Sequence, residues 1–302
     1  MARLQANLPD WEVVAGAHHD LQVARSADVL VPFAMAVTDD LLSGSRIRLV
    51  HQFGVGVDQI DVTAAKRHGV PVCNAPSGVS GMAASVAEGA IFLILSCARL
   101  PAVRQKRLET GIWGWATPLN FGLAGRRAGI IGLGDIGRAI AERLRGFGMD
   151  LVAVRRDPHK TEESAGCFDW VGGMDRLDEL VSIADIIIVT VPLNAETQGL
   201  FDKARLKQVK RGASIINVGR GGVINEVALI DELESGRIHA AGLDTIANEP
   251  PLPGSKLLDH PNVILTPHEA GTTDTAFDGV SRIIADNLYR LEAGTELRHR
   301  VA

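Results

Sequence analysis

Ala128-Gly129-Ile130-Ile131-Gly132-Leu133-Gly134-Asp135-Ile136-Gly137 joins a short apolar run to three glycines at fixed spacing. The run before Gly132 reads as a strand, and Ile136–Phe147 carries apolar residues at helical spacing. A second strand-like run, Leu151–Val154, follows. A glycine triplet alone says little, since glycines gather in turns of every kind. Inside a strand–helix–strand unit each glycine has a separate task. Gly132 makes the tight turn, Gly134 lets the backbone approach a pyrophosphate, and Gly137 lets helix and strand pack closely. The free N–H groups at the helix start, around Asp135 and Ile136, then meet an anion at the positive end of the helix dipole. This segment predicts a dinucleotide-binding turn.

Outward from that turn, short β-branched runs alternate with helical patterns. The strand candidates are Asp28–Val31, Ile47–His51, Val70–Cys73, Ala128–Ile131, Leu151–Val154, Asp185–Val191, Ser214–Val218, Ala240–Leu243 and Val263–Leu265. Helical spacing falls at Asp202–Val209 and Asn225–Ser235, and a long helix is expected from about Gly81 to Cys97. Such alternation implies parallel sheets covered by helices on both faces. The expected class is therefore α/β, with two Rossmann-like domains. A stretch rich in Gly, Pro, Trp and charge, Arg99–Gly125, separates the long helix from the glycine turn. A last helix at about Asp274–Leu291 is expected to return to the first domain. The expected division is residues 1–93 with 272–302, and residues 94–271 as the dinucleotide-binding domain.

The chain has 302 residues, which is room for two cores of ordinary size. A formal net charge of −5 argues against general nucleic-acid or membrane-surface binding. The three cysteines, Cys73, Cys97 and Cys167, make neither a CxxC nor a metal-ligand spacing, so no metal is expected. Reduced thiols in a cytoplasmic compartment are the simple reading. Met1–Val14 lacks an apolar signal core, and the apolar stretch around Ala90–Leu95 is too short to span a bilayer, so it reads as a buried helix.

The end of the second strand of a dinucleotide fold separates NAD from NADP. An acidic residue there binds the ribose hydroxyls and repels a 2′-phosphate. Here Val154 is followed by Arg155, Arg156 and Asp157. Two guanidiniums suit a 2′-phosphate as charged, bidentate donors, which favours NADP(H). In the alternative, the arginines are a solvated edge, Asp157 is the ribose acceptor, and NAD(H) is bound.

Three polar residues fall just past strands. Arg220 sits in Val218-Gly219-Arg220-Gly221-Gly222, Glu249 in Asp244-Thr245-Ile246-Ala247-Asn248-Glu249-Pro250, and His268 in Thr266-Pro267-His268-Glu269-Ala270-Gly271. Ligands of open α/β sheets bind outside the carboxyl ends of strands. Arg, Glu and His converging there suit reduction of a ketone. His supplies the proton, Glu orients and charges the imidazole, and Arg grips a carboxylate and polarises the carbonyl. Singly, each has a plainer reading: a surface ion-pair arginine, a solvated loop glutamate, a structural histidine. Spacing alone leaves both readings open.

An ordered set of motifs resembles the D-isomer-specific 2-hydroxyacid dehydrogenases over nearly the whole chain. It runs from Phe53-Gly54-Val55-Gly56-Val57-Asp58, Asn74-Ala75-Pro76 and Val86-Ala87-Glu88 to the glycine turn. Val191-Pro192-Leu193 with Thr197, Ile216-Asn217-Val218-Gly219-Arg220-Gly221, Gly242-Leu243-Asp244 with Glu249-Pro250, and Thr266-Pro267-His268 complete it. The resemblance implies that Arg220, Glu249 and His268 are catalytic. It also implies that backbone amides around Gly54, Val55 and Gly56 hold the substrate carboxylate. Asp244 would bind the nicotinamide carboxamide, and Val191, Pro192 and Thr197 would lie near the adenosine half. Val218, Gly219, Arg220, His268 and Gly271 complete the cofactor contacts it implies. It further implies an active-site cleft between the two domains, a first domain built from both chain ends, and a homodimer. D stereochemistry at C2 rests on it alone.

Within the family the Arg155-Arg156 pair resembles NADP-preferring glyoxylate and hydroxypyruvate reductases. Phosphoglycerate dehydrogenases tend to carry an Arg just before the loop at Gly54, where this chain has His51-Gln52-Phe53. The expected activity is thus reduction of a small unphosphorylated 2-keto acid, with no C-terminal regulatory domain expected. An NAD-linked oxidation of D-3-phosphoglycerate, and a non-catalytic dinucleotide-sensing binding protein, are the alternatives. Two departures stand out. Met1–Pro9 reads as the first helix, without the strand that normally precedes it, either because the strand is lost or because the start is late; an exposed sheet edge is then expected. Thr245 stands where an apolar residue is usual.

Overall fold

The computed structural model describes residues 2–16, 20–33, 35–114, 119–159 and 166–302. Met1 and residues 115–118 of the Arg99–Gly125 stretch lie outside the described residues. The chain forms two compact units, Met1–Ser85 with Thr272–Ala302, and Val86–Gly271.

The first unit is built on a three-stranded parallel sheet of β1 (Val29–Leu30), β2 (Leu49–His51) and β3 (Val72–Cys73), in that order. Leu30 pairs with Val50, and Val50 with Val72. Side chains alternate between faces along each strand. Val50 and Val72 join one buried cluster with Leu41, Ile47 and Ala64. Leu49 and Cys73 join another, with Leu8, Val280, Ile284 and Leu288. The last three belong to the helix Asp274–Glu292, against which the N-terminal helix Ala2–Asn7 also packs. The C-terminal residues run antiparallel along β3, with a bridge between Cys73 and Arg300 and a bond from Val301 N–H to the Val72 carbonyl at 2.7 Å. Among the described residues β1 has β2 as its one strand neighbour.

The second unit holds seven parallel strands: β4 (Arg127–Ile131), β5 (Asp150–Val154), β6 (Trp170–Gly172), β7 (Ile186–Val189), β8 (Ala213–Asn217), β9 (Ile238–Leu243) and β10 (Val263–Leu265). Their spatial order is β10-β9-β8-β7-β4-β5-β6. The order reverses between β4 and β7, the switch point at which doubly wound sheets bind ligands. The central strands are apolar on both faces because helices cover both, so β7 and β8 are buried at every position.

The structure departs from the sequence expectations at one boundary and adds elements that they did not include. The long helix, Met82–Arg99, belongs to the second unit from Val86, after its first turn, so the units part at Ser85/Val86 and not at 93/94. The reason is packing. A Cβ on Gly89 would meet Ala270 at 2.7 Å, and one on Gly242 would meet Leu93 at 2.9 Å and Cys97 at 3.2 Å. This helix has the length and mean hydropathy of a membrane span, yet Ala90, Leu93, Ile94 and Cys97 are buried in the unit's interior. Next, part of the Arg99–Gly125 stretch is a helix, Pro101–Glu109, with proline in its first turn and no buried residue. Without an apolar face it leaves no periodic signal, while proline fits a helix start. Finally, β6 escapes a pattern search because its three residues pair only at the sheet edge, with β5.

Candidate active site

The glycine turn follows β4. Gly132 has φ +97°, a conformation that glycine adopts without penalty. Its N–H donates to the Val154 carbonyl at 2.9 Å, and its own carbonyl accepts from the Thr190 hydroxyl. Gly134 occupies the cap of the helix Asp135–Arg145, and no side chain caps that end. A Cβ on Gly134 would meet nothing within 4 Å, whereas one on Gly137 would fall on the Gly132 carbonyl oxygen. The three glycines therefore differ as expected: a turn, an open approach, and a tight helix–strand contact. An open cradle before uncapped N–H groups fits a dinucleotide pyrophosphate. Asp135 forms an ion pair with Arg138 at 2.8 Å, which leaves Asp135 and Ile136 to serve through their backbone. Thr190 was not singled out from the sequence, and its only signal there is a hydroxyl at the end of β7.

Val191 is buried. Thr197 is buried too, and its hydroxyl donates to the Pro192 carbonyl at 2.6 Å while accepting from Asn194 N–H at 2.9 Å. Thr197 thus shapes the Pro192–Thr197 loop from within. At the end of β5, Arg155 is half-buried, with its N–H on the Gly172 carbonyl, and Arg156 is exposed. The Asp157 carboxylate accepts from His159 N–H at 3.2 Å.

Arg220 is held by its neighbours. Asn217, buried at the end of β8, accepts from Gly219 N–H and donates to the Arg220 carbonyl, both at 3.0 Å. A Cβ on Gly219 would meet the Val191 carbonyl oxygen at 2.6 Å, and one on Gly221 would overlap the Ile246 backbone. Glycine on both sides lets the Arg220 turn nest against two other loops. The guanidinium also donates to the Gly219 carbonyl at 2.8 Å. Val218 is buried under this turn.

His268 Nδ1 lies 2.7 Å from Glu249 Oε2. A carboxylate only accepts, so Nδ1 carries the hydrogen and Nε2 is left for exchange. The other Glu249 oxygen accepts from Ile246 N–H at 3.0 Å. The Glu249 bond and its negative charge hold the imidazole pKa above its ordinary 6.5, against burial and the charge of Arg220. Burial raises Glu249, but His268 and Arg220 outweigh it and keep the carboxyl below its usual range. Arg220 acts electrostatically on both partners, so all three expected residues come together.

Asp244 is buried at the end of β9. The resemblance assigns it to the nicotinamide carboxamide, but in the structure its carboxylate faces the histidine loop. Oδ1 accepts from the Thr266 hydroxyl at 2.6 Å, Glu269 N–H at 2.9 Å and Ala270 N–H at 3.0 Å, and Oδ2 from Ala270 N–H at 3.1 Å. The Asp244 carbonyl also accepts from His268 N–H, and His268 itself has φ +54°. Asp244 therefore holds the loop in which His268 takes its left-handed backbone. Gly271 follows that loop and is the last residue of the unit. Thr245 is buried, and among the described residues its hydroxyl has no partner; nothing in the structure explains it.

In the first unit, Gly54 has φ +134° with open space where a Cβ would stand. The loop is tied down through its carbonyls: Ala75 N–H donates to Gly54, and the Asn74 amide to Val55 at 2.8 Å. Among the described residues the N–H groups of Gly54, Val55 and Gly56 have no acceptor. Successive free amides of this kind suit an anion.

Residues 91–270 match the family described as D-isomer specific 2-hydroxyacid dehydrogenase, NAD binding domain. The chain is 38% identical over 268 residues to D-3-phosphoglycerate dehydrogenase of Bacillus subtilis, covering 88% of this chain but 49% of that protein, so it spans about half the relative's length. It is 36% identical over 274 residues to hydroxypyruvate reductase of Thermotoga maritima, covering 89% and 86%. It superimposes with a TM-score of 0.76 on a glyoxylate reductase from Paecilomyes thermophila, at 31% identity over 88% of this chain and 79% of that one. Because the family match spans more than half the residues and agrees with the glycine turn and the β4–β10 order, this chain belongs to the D-isomer-specific 2-hydroxyacid dehydrogenase family.

Proposed function

We propose that the protein reduces a small unphosphorylated 2-keto acid to the D-2-hydroxy acid, with NADPH favoured over NADH. The observation that carries this reading is the His268–Glu249 hydrogen bond within the field of Arg220. A nicotinamide dinucleotide, held by the turn Gly132–Gly137, supplies when bound the hydride that C2 accepts. His268 holds on Nε2 the proton that the carbonyl oxygen takes up, and is left as a neutral imidazole on Glu249. Arg220 draws the carbonyl pair toward oxygen as charge develops there. The amides of Gly54, Val55 and Gly56 bind the carboxylate. In the oxidative direction the same groups act in reverse, with His268 as base.

Arg155 and Arg156 at the end of β5 support NADPH, and so does an Asp157 carboxylate that accepts from His159 N–H. A homodimer rests on the resemblance to the family alone. The three unpaired cysteines support a reducing, cytoplasmic setting. A second reading, NAD-linked oxidation of D-3-phosphoglycerate, is favoured by the 38% identity to a relative of that name.

The test is the initial rate of NADPH and NADH oxidation with glyoxylate, hydroxypyruvate and pyruvate, beside NAD reduction with D-3-phosphoglycerate. Fast NADPH consumption supports the proposal. NADH preference keeps the reaction and overturns the cofactor choice. Turnover confined to D-3-phosphoglycerate establishes the second reading. Tight dinucleotide binding without turnover of any of them points to a binding protein.

A further inference from the structure

The turn that carries Glu249 is fastened at two places to the segment that follows Arg220. After Arg220 the chain makes a single tight turn, Gly221–Val223, and enters the helix Glu226–Glu234. The Asn225 side chain caps that helix by accepting from Ala228 N–H at 3.0 Å. The first fastening is steric: the Gly221 backbone lies so close to Ile246 that a Cβ there would overlap it. The second is polar: the Glu226 carboxylate reaches out of its helix and accepts from Ala247 N–H. The neighbouring amide, Ile246 N–H, donates to Glu249 itself at 3.0 Å. Two successive amides of one turn are therefore held by two carboxylates, Glu249 from within the turn and Glu226 from the helix behind Arg220. An acid in the first turn of a helix ordinarily serves the helix dipole and faces solvent. Glu226 is half-buried, and among the described residues its hydrogen bond goes to another loop.

We propose that Glu226 is a positioning residue for the reduction: through Ala247 it fixes the turn from which Glu249 reaches His268, and so sets that pair against Arg220. This rests on the preceding reading that His268 supplies the proton, and it gives Glu226 no contact with substrate or dinucleotide. The charged groups that face His268 are Glu249, Arg220 and Asp244, and those that face Glu249 are His268 and Arg220. Glu226 bonds to none of them, so its influence runs through the backbone between Ile246 and Glu249. Glu249 has little slack, because Oε2 must stay 2.7 Å from His268 Nδ1 while Oε1 keeps Ile246 N–H. Releasing the Ala247 amide frees the turn to shift. The carboxylate then draws away from the ring, and the imidazole gives up its proton at lower pH. What this role requires of residue 226 is an acceptor oxygen at the right reach, and not a charge.

Two variants separate reach from charge. Glu226→Gln keeps the length and an acceptor oxygen and loses the charge. Glu226→Asp keeps an acid at the helix start and is one methylene too short for Ala247. In Glu226→Asp, kcat for keto-acid reduction should fall roughly tenfold, since a small misplacement of a reacting group is costly. The pH at which kcat/KM declines should also move down toward 6.5, the ordinary histidine value. The His268 ring protons, identified in the NMR spectrum by their loss in His268→Gln, should titrate at the same lowered pH. Glu226→Gln should retain most of kcat and leave both titrations in place. An unmoved His268 titration in Glu226→Asp overturns the proposal, even where the unfolding temperature drops, because the bond is then purely structural. A Glu226→Gln variant that shifts as far as Glu226→Asp overturns it too, because Glu226 would then act as a remote charge. If the unaltered protein turns over no keto acid, the reductase reading fails by itself. The ring titration still decides whether Glu226 sets the Glu249–His268 pair: movement in Glu226→Asp alone upholds that link, and any other pattern overturns it.

Discussion

At the residue scale, the proposed reduction rests on a proton held at His268. Replacing His268 by Gln should lower kcat for keto-acid reduction by roughly 10²–10⁴, the usual contribution of a positioned acid. The dinucleotide dissociation constant, measured by fluorescence titration, should change far less. A near-normal kcat would remove His268 from its role. Reduction needs the imidazolium, so kcat/KM should fall as pH rises through a pKa above 6.5, the direction in which Glu249 moves it. Glu249→Gln removes that charge, and the inflection should then move to lower pH. A profile that stays in place would mean that Glu249 only positions the ring. The trio was legible as residues past strands. The Asp244 bonds to Thr266, Glu269 and Ala270 were not, because nothing local announces where a strand-end carboxylate will turn.

At the element scale, two strand ends carry separate predictions. Past β5, changing Arg155 and Arg156 together to Ala should reduce the ratio of kcat/KM for NADPH over NADH by tenfold or more, since both charged donors for a 2′-phosphate are lost. An unchanged ratio would move the discrimination elsewhere. At the end of β2, burial drives His51 from 6.5 down to about 4, so it is neutral in the folded chain near pH 7. It lies beside Asn287, which in turn exchanges hydrogen bonds with the Arg298 backbone and so holds the C-terminal segment along β3. Below pH 6.5 the unfolded chain binds a proton at this position that the folded chain refuses, so stability falls as pH drops from about 6.5 to 4. The full loss is about 3 kcal/mol, complete below the folded pKa. Urea unfolding at pH 7 and pH 4.5 should show it, with a smaller difference in His51→Gln. An equal pH dependence in that variant would assign the acid sensitivity to other groups. The sequence pattern located β2. The helix Pro101–Glu109 and the edge strand β6 were beyond it, since one lacks an apolar face and the other has only three residues.

At the scale of the whole molecule, the second unit is one uninterrupted stretch, Val86–Gly271, with a core of its own centred on Ile131, Ile187, Ile215 and Leu243. The family match, residues 91–270, falls within it. A fragment of residues 86–271 should therefore fold and bind dinucleotide by itself, judged by cooperative thermal unfolding in circular dichroism and by calorimetric titration with NADPH. Starting it at residue 94, the boundary that the sequence suggested, removes Gly89 and Leu93 from their contacts with Ala270 and Gly242 and should lower the midpoint of unfolding. Equal midpoints would show that the first turns of the helix Met82–Arg99 add nothing to this core. A fragment from 86 that does not unfold cooperatively would show that the unit depends on the rest of the chain.

The sequence by itself determined the α/β class, the dinucleotide turn at Gly132–Gly137 and the candidates Arg220, Glu249 and His268. Periodicity and glycine spacing report local backbone conformation, and each of these features is written within a few neighbouring residues. Only the tertiary structure decided where the units part, and that Asn217 and Asp244 fasten the loops of Arg220 and His268. Those outcomes depend on which strands become neighbours and in what register. Register is set by the packing of whole faces against one another, between residues far apart along the chain, and no short stretch of sequence contains it.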